Sequence, residues 1–572
     1  MYISNYRPRS EAVFLFFLVF LIFCISRLFF IQSFRSSYLA GIAKRQHNLY
    51  VELEPRRGVI YDSNLKPQTI NILLDSLYAT PGEIKNKEEV IKKTSNILNL
   101  SPSYIRERVN RKKNFIWLAR KITPAQSEAI KKLNLKGLGF LKESRRSYPN
   151  SHLTSHIIGF AGLDNAGLEG LEAVYDKYLK GEPGWALFLR DAHQKKLNLW
   201  EKMVLPKDGY DLVLTIDEVV QYIAERELDK AFKSSNAKGA SIVVMDPHTG
   251  AILAMANRPT YDLNEHSKVS QDRVRNRAIC DMFEPGSVFK IVTASAALEE
   301  NRVNEEDKFF CENGAYRVAN HILHDHQPHG WLTFRQVIEE SSNIGTTKVA
   351  QLLGPETLFK YIKLFGFGSQ LGIDLAGEIP GSAKEPRLWS KVSIGAVPIG
   401  QEIGVTALQL ASAISVIANG GQLMKPYVVR EIRDKNGEVI KTFSPTLIRK
   451  AISLDTAARV KKILVGVVEE GTGKLAKISG VTAAGKTGTA QKLEPNGAYS
   501  HNKFVASFIG FAPAEDPQVA IAVTVDEPHP LYFGGVVAAP VFKNVANDIL
   551  KYLIQKQMTH ETVVLNETIR AN

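Results

Sequence analysis

The sequence predicts an α+β chain: a central antiparallel sheet flanked by helices, preceded by one transmembrane helix and a mixed α/β region. Three observations carry this reading. Residues 12–34 form a 23-residue apolar run broken only by Ser26, Arg27, Gln32 and Ser33. Residues 241–245 and 251–256 read as two strands of a hairpin around the turn Asp246-Pro247-His248-Thr249-Gly250. Towards the other end, residues 486–489, 504–511 and 518–525 read as three more strands, the last from the alternation of Val519, Ile521, Val523 and Val525. Two strands early, three late and helical stretches between them fit one sheet with helices packed on it.

Taken in order, residues 1–11 read as a cytoplasmic tail and 12–34 as a membrane anchor. At ~1.5 Å per residue a run of that length crosses the hydrocarbon core of a bilayer. A cleaved signal peptide is the rival, weakened by the length of the run and the poor small-residue site near Ala40-Gly41. Arg27 lies near one end, where it can snorkel to the interface. Flanking charge does not settle orientation. Arg7 and Arg9 precede the span while Arg35, Lys44 and Arg45 follow it, which by count favours an inside C-terminus. Large domains, however, translocate largely regardless of nearby charge.

Residues 44–236 alternate short apolar runs with turn signals and contain no catalytic constellation. Arg57, Glu169 and Glu172 are expected to be charges that knit two lobes together. His152 and His156 have the i, i+4 spacing of zinc ligands, but no third ligand accompanies them, so no metal site is expected. Residues 239–550 hold the predicted sheet, with a helix over 406–418 that follows Gly400-Gln401-Glu402 and stops at Asn419-Gly420-Gly421. Residues 551–572 read as a short tail. The 572 residues are enough for two sizeable domains beside the anchor. The net charge of +13 is spread along the chain without a dense basic block, so no nucleic-acid partner is expected. Cys24 falls in the anchor, and Cys280 and Cys311 read as free, small buried residues, with a disulfide as the minority alternative.

The chemistry is concentrated in Phe283-Glu284-Pro285-Gly286-Ser287-Val288-Phe289-Lys290. Pro285 and Gly286 punctuate the chain, and Ile291, Val292, Ala294, Ala296, Ala297 and Leu298 read as a buried helix, so Ser287 sits at a helix N-terminus. Positions i and i+3 share a face, so the Ser287 hydroxyl and the Lys290 amine can meet. The helix dipole and burial both push Lys290 towards a neutral amine able to take the serine proton. The same helix end offers backbone N–H groups to an oxyanion. S-x-x-K alone is weak: Ser235-Asn236-Ala237-Lys238 satisfies it and reads as a solvated turn. Ser341-Ser342-Asn343 adds a hydroxyl and an amide for proton relay and hydrogen bonding to a substrate amide. Lys486-Thr487-Gly488-Thr489 adds a fixed cation, hydroxyls for a carboxylate and a glycine that lets a substrate backbone approach. Each has a bland alternative, a helix cap for the first and an edge strand for the second; Ser234-Ser235-Asn236 and Ser500-His501-Asn502 read only as caps. What the decoys lack is order and spacing: Ser341 lies 54 residues after Ser287, and Lys486 lies 145 after Ser341.

That ordered triplet resembles the motif set of penicillin-recognising serine acyltransferases. Upstream, Arg57-Gly58-Val59-Ile60-Tyr61-Asp62, Arg146-Ser147-Tyr148-Pro149 and Gly167 to Glu172 are similar to the pedestal, or dimerisation, region of class B penicillin-binding proteins. The resemblance implies the penicillin-binding transpeptidase fold over 239–550 and an elongated pedestal over 44–236. It implies Ser287 as acylated nucleophile, Lys290 as its general base, Ser341 as proton donor to the leaving D-alanine, Asn343 as a substrate amide ligand and Lys486 as tuner of that network. Thr487 and Thr489 would bind the terminal carboxylate, with Gly488 between them admitting the substrate, and the backbone N–H groups of Ser287 and Thr489 would form the oxyanion hole. No cofactor is implied.

The implied reaction is crosslinking of D-Ala-D-Ala stem peptides through a Ser287 ester, on the extracytoplasmic side of the membrane, with β-lactams as substrate mimics. Anionic lipid head groups and a lipid-linked, pyrophosphate-bearing glycan precursor then account for the basic excess. No glutamate-rich glycosyltransferase segment follows the anchor, which implies a separate glycan polymerase and divisome proteins as partners. The length, the short tail and the stretch Asp164 to Glu172 look more like the septal enzyme than the elongation one. A D,D-carboxypeptidase or β-lactamase, with Glu385-Pro386-Arg387-Leu388 resembling a deacylating loop, and a catalytically idle scaffold are the alternatives. Two departures stand out: Glu402 where relatives usually show glycine, and Ala407 where proline is common.

Overall fold

The computed structural model describes residues 7–113, 115–190, 196–494 and 497–571; the first six residues of the expected tail lie outside them. The chain forms two compact units, one joining residues 1–56 to 181–208, the other joining 57–180 to 209–572. In the first, helix α1 (Arg7–Phe34) is apolar and long enough to cross a membrane. After it, Asn48–Leu53 pairs antiparallel with Gly184–Arg190, which pairs with Lys196–Val204.

In the second unit the central sheet has five antiparallel strands: β1 (Gly239–Met245), β2 (Ile252–Arg258), β3 (Ala484–Leu493), β4 (Tyr499–Ala512) and β5 (Val519–Asp526), in the order β2-β1-β5-β4-β3. Both faces are covered. Val243, Met245, Ala520 and Ala522 pack in the core that holds helix α5 (Ala407–Ala418), whereas Ile242, Val244, Ile521 and Val523 pack against helices α2 (Glu218–Ser234) and α7 (Ala539–Ala571). Along the first half of β5 the alternation separates large (Val519, Ile521) from small (Ala520, Ala522) apolar side chains, and polar residues enter only at Thr524 and Asp526. Ser500, expected in a cap, lies instead within β4, and Ser235 is buried, its Oγ donating to Ala231 O, not part of a solvated turn.

Helix α7 passes through the position where a tail was expected to begin. Tyr552 Oη and Lys556 Nζ donate to Asp217 Oδ2 at 2.9 and 3.1 Å, and Asp217 caps α2, so the helix is held against the sheet's covering layer beyond residue 551.

Compactness also cuts across the expected 44–236 region. Ile60–Tyr61 pairs in parallel with Asp211–Leu214, which pairs with Val429–Arg433, and Ile60, Leu212 and Leu214 join the same core as α5. Residues 70–147 form a smaller body of their own, a three-stranded sheet of Ile116–Ala119, Ile70–Ala79 and Leu138–Ser147 with a separate core. Arg57 and Arg146 converge on the fully buried Glu172: Arg57 Nε reaches Oε2 at 2.7 Å, Arg146 Nε reaches Oε1 at 2.6 Å, and Arg57 Nη1 reaches Asp176 at 2.7 Å. Arg146 lies on a strand of the smaller body, whereas Glu172 and Arg57 lie beside Leu171, Tyr175 and Ile60 of the core that holds α5, so the cluster ties these two parts of the unit together. Glu169 is exposed and makes no ion pair among the described residues. His152 is exposed; His156 is buried, with Nε2 against Arg273 O at 2.9 Å, and burial lowers its pKa to about 4.

Candidate active site

Ser287 lies in a 3-10 turn, Gly286–Phe289, that runs directly into helix α3 (Lys290–Glu299). The turn is clamped from two sides. Gly286 has φ +57°, and a Cβ there would meet Thr489 O at 3.1 Å; a Cβ on Gly400 would meet Gly286 O at 2.2 Å. Gly286 N–H donates to Gly400 O, tying the turn to that loop. Glycine is therefore required at both positions for the chain to pass so close.

Lys290 is fully buried. Its Nζ donates to Ser341 O at 2.5 Å, Asn343 Oδ1 at 2.8 Å and Ser341 Oγ at 3.2 Å. The i, i+3 spacing does put Ser287 and Lys290 on one face, yet no hydrogen bond joins them among the described residues. The acceptors nearest Lys290 Nζ all belong to the Ser341–Asn343 segment. Lys486, also fully buried, donates to Ser341 Oγ at 3.0 Å, so the two lysines converge on one hydroxyl. Burial lowers the Lys290 pKa well below the ordinary lysine range, with the neighbouring Lys486 charge adding to it; burial alone brings Lys486 down to about 7.

Ser341 has φ +60°, a left-handed conformation that costs a non-glycine residue about 1–3 kcal/mol. The strain turns its hydroxyl back between the lysines while Ser342 caps helix α4 (Asn343–Leu353), accepting from Gly345 N at 2.9 Å. Within this triplet Ser342 is the helix cap, while Ser341 faces the two lysines. Strand β3, the edge of the sheet, carries Lys486 to Thr489, and Thr489 Oγ1 accepts from Gly534 N at 3.0 Å.

Asp325 was not legible in the sequence. It lies just past a short hairpin, and its carboxylate accepts from Ser342 Oγ at 2.6 Å, Asn343 N at 2.5 Å and Ile344 N at 3.0 Å. An anion at a helix N-terminus satisfies orphan N–H groups and fixes the start of α4, and with it Ser341 and Asn343. Asn343 Nδ2 donates to the adjacent His324 O at 2.9 Å. Glu385 is exposed and paired with Arg387, unlike a deacylating glutamate. Cys24, Cys280 and Cys311 are all free thiols; Cys311 is buried behind Ser342, 3.4 Å from its Oγ. Glu402 has φ +57°, the reason glycine is usual there, and its carboxylate accepts from Ser393 Oγ at 2.7 Å. Ala407 is the first residue of α5 after the Thr406 cap, where proline's fixed φ suits a helix start.

A family model described as the penicillin binding protein transpeptidase domain matches residues 240–547, and one described as the penicillin-binding protein dimerisation domain matches 52–214. The chain belongs to the class B penicillin-binding proteins. Such a protein is a serine-type transpeptidase. Stage V sporulation protein D of Bacillus subtilis is 38% identical over 564 residues, covering 97% of this chain and 87% of that one. Peptidoglycan D,D-transpeptidase FtsI of Escherichia coli K12 is 31% identical over 539 residues, covering 93% of this transpeptidase and 89% of the relative. The crystal structure of penicillin binding protein 3 from Mycobacterium tuberculosis complexed with aztreonam superposes with TM-score 0.69 at 27% identity, covering 89% of this chain and 97% of that one.

Proposed function

We propose that this transpeptidase crosslinks peptidoglycan stem peptides in septal wall synthesis, with Ser287 as nucleophile. The observation that carries the reading is the pair of buried lysines, with no carboxylate bonded to either among the described residues, converging on Ser341 behind the Ser287 turn. A lysine amine kept neutral by burial is a base for serine without histidine. Lys290 accepts the Ser287 proton as Oγ bonds to the penultimate D-alanine carbonyl carbon. The C–N bond then breaks, and Ser341 gives its proton to the leaving D-alanine amine and is recharged by the proton now on Lys290, while Lys486 Nζ holds the same hydroxyl. An acceptor amine attacks the ester, the C–O bond breaks, an amide forms, and the proton goes back to Ser287.

Backbone N–H groups of Ser287 and Thr489 hold the oxyanion, worth about 3–4 kcal/mol per donor in such sites. Asn343 holds the substrate amide, and Thr487, Gly488 and Thr489 receive its terminal carboxylate. Helix α1 is the single anchor, with the catalytic unit on the extracytoplasmic side, where a separate glycan polymerase and divisome proteins supply strands and location. Likeness to FtsI supports the septal assignment over elongation.

Incubation of the whole chain in detergent with benzylpenicillin is expected to give a long-lived ester, seen by intact mass and mapped to the Ser287 peptide, and none in Ser287→Ala. Rapid turnover of the drug without a persistent adduct would instead make the protein a hydrolase.

A further inference from the structure

The turn after helix α6 (Leu454–Glu469) carries Thr472 between Gly471 and Gly473. Its side chain is exposed, and its Oγ1 lies 2.9 Å from Thr487 Oγ1. Its backbone N–H donates to Glu339 O at 3.3 Å, two residues before Ser341, so this one residue touches both the edge strand and the segment leading into Ser341. The turn has no slack: a Cβ on Gly471 would meet Glu339 O at 2.5 Å. On the other side of Thr487, Lys486 Nζ lies 3.5 Å from the same Oγ1.

A hydroxyl has one proton and two acceptor positions, and a carboxylate only accepts. Thr487 can give its proton to a bound carboxylate only if that proton is not spent on Thr472. Lys486 Nζ lies at the limit of reach of one acceptor position of Thr487 Oγ1, at 3.5 Å, and Thr472, at 2.9 Å, is placed to fill an acceptor position by donating its own proton. We propose that Thr472 is a positioning residue for recognition of the substrate's terminal carboxylate, donating to Thr487 Oγ1 so that the Thr487 proton faces the ligand. The assignment rests on the transpeptidase reading of the site given above. It makes selectivity for a free carboxylate depend on a residue outside the three motifs, held there by the Gly-Thr-Gly turn.

The test compares second-order acylation rates of the whole chain with benzylpenicillin and with its methyl ester, which lacks the carboxylate. Thr472→Val, close in shape but without the hydroxyl, is expected to lose about five- to tenfold on the free acid, the size of one hydrogen bond, and less than twofold on the ester. Thr472→Ser is expected to restore the acid rate, and Thr472→Ala, a second deletion of the hydroxyl, to behave as Thr472→Val. Equal losses on both ligands, no loss on the acid, or a serine variant as impaired as the valine one would overturn the assignment. A wild-type chain that penicillin never acylates would overturn the transpeptidase reading itself and this assignment with it, an outcome distinct from the other three.

Discussion

Arg57 and Arg146 are buried against carboxylates, whereas Lys290 and Lys486 are buried against hydroxyls, a carbonyl and an amide. Both pairs lie in the same compact unit, and both bring two cations to one side chain, Glu172 in the first case and Ser341 in the second. The consequences are opposite. Burial opposes the charge of Arg57, but Glu172 and Asp176 outweigh it and the guanidinium is held more firmly charged than usual. Nothing offsets burial at Lys486, and both lysines are driven towards the neutral amine. Compensated charge gives rigidity; uncompensated charge gives a base at neutral pH. Of two buried cation pairs, only the second has proton chemistry to offer.

The comparison is broken most directly at Lys290. Lys290→Met is expected to slow penicillin acylation by about 10²–10⁴-fold, the usual contribution of a positioned base, while leaving thermal stability equal or higher because a buried amine is removed. Stopped-flow with a fluorescent penicillin measures the first and a melting curve the second. A variant that acylates normally would mean that another group takes the Ser287 proton.

The converse effect is expected at Glu172. Glu172→Ala leaves two buried guanidiniums facing each other and is expected to cost about 3–5 kcal/mol of stability, read by chemical denaturation, with the acylation rate per folded molecule unchanged. Ile60, Leu171 and Tyr175, close to Arg57 and Glu172 in the chain, share a core with the sheet, so loosening the cluster lowers the stability of the unit. A loss of acylation at full stability would instead tie this cluster to the chemistry.

The two clusters also differ in how far they could be read from the chain. Ser287, Lys290, Ser341 and Lys486 were legible because their chemistry needs fixed residue types in a fixed order. The five strands were legible from the turn between the first two, the apolar runs and the alternation of Val519, Ile521, Val523 and Val525 in the last. Glu172 was visible as a charge but not as the centre of a buried pair, since its partners lie 26 and 115 residues away. Asp325 and Thr472 left no signal at all: each acts through a hydrogen bond to a motif residue that only the fold brings near. The partners that Lys290 has in the structure were equally hidden in the sequence. Helical spacing fixes which face a side chain shares, not which acceptor wins its protons. Helix α7 ran past the expected boundary because polar surface residues there conceal anchoring bonds from Tyr552 and Lys556 to Asp217.

The smallest effect separates the clusters by pH. An unfolded chain holds the Lys486 proton up to about pH 10.4, whereas in the folded chain burial brings its pKa to about 7. Between these values the unfolded state binds a proton that the folded state does not, so stability rises with pH across that window, by at most about 1.4 kcal/mol per unit. Below about pH 7 both states carry the proton and the cost is constant. Lys486→Met removes this slope. Denaturation at pH 7 and pH 8 is therefore expected to show the wild type gaining up to about 1.4 kcal/mol relative to Lys486→Met. Arg57→Met offers the control: arginine keeps its proton in both states throughout this range, so its variant differs from wild type by the same amount at each pH. Equal slopes in wild type and Lys486→Met would mean that Lys486 stays charged when buried, and the distinction between compensated and uncompensated cations would then rest on Lys290 alone.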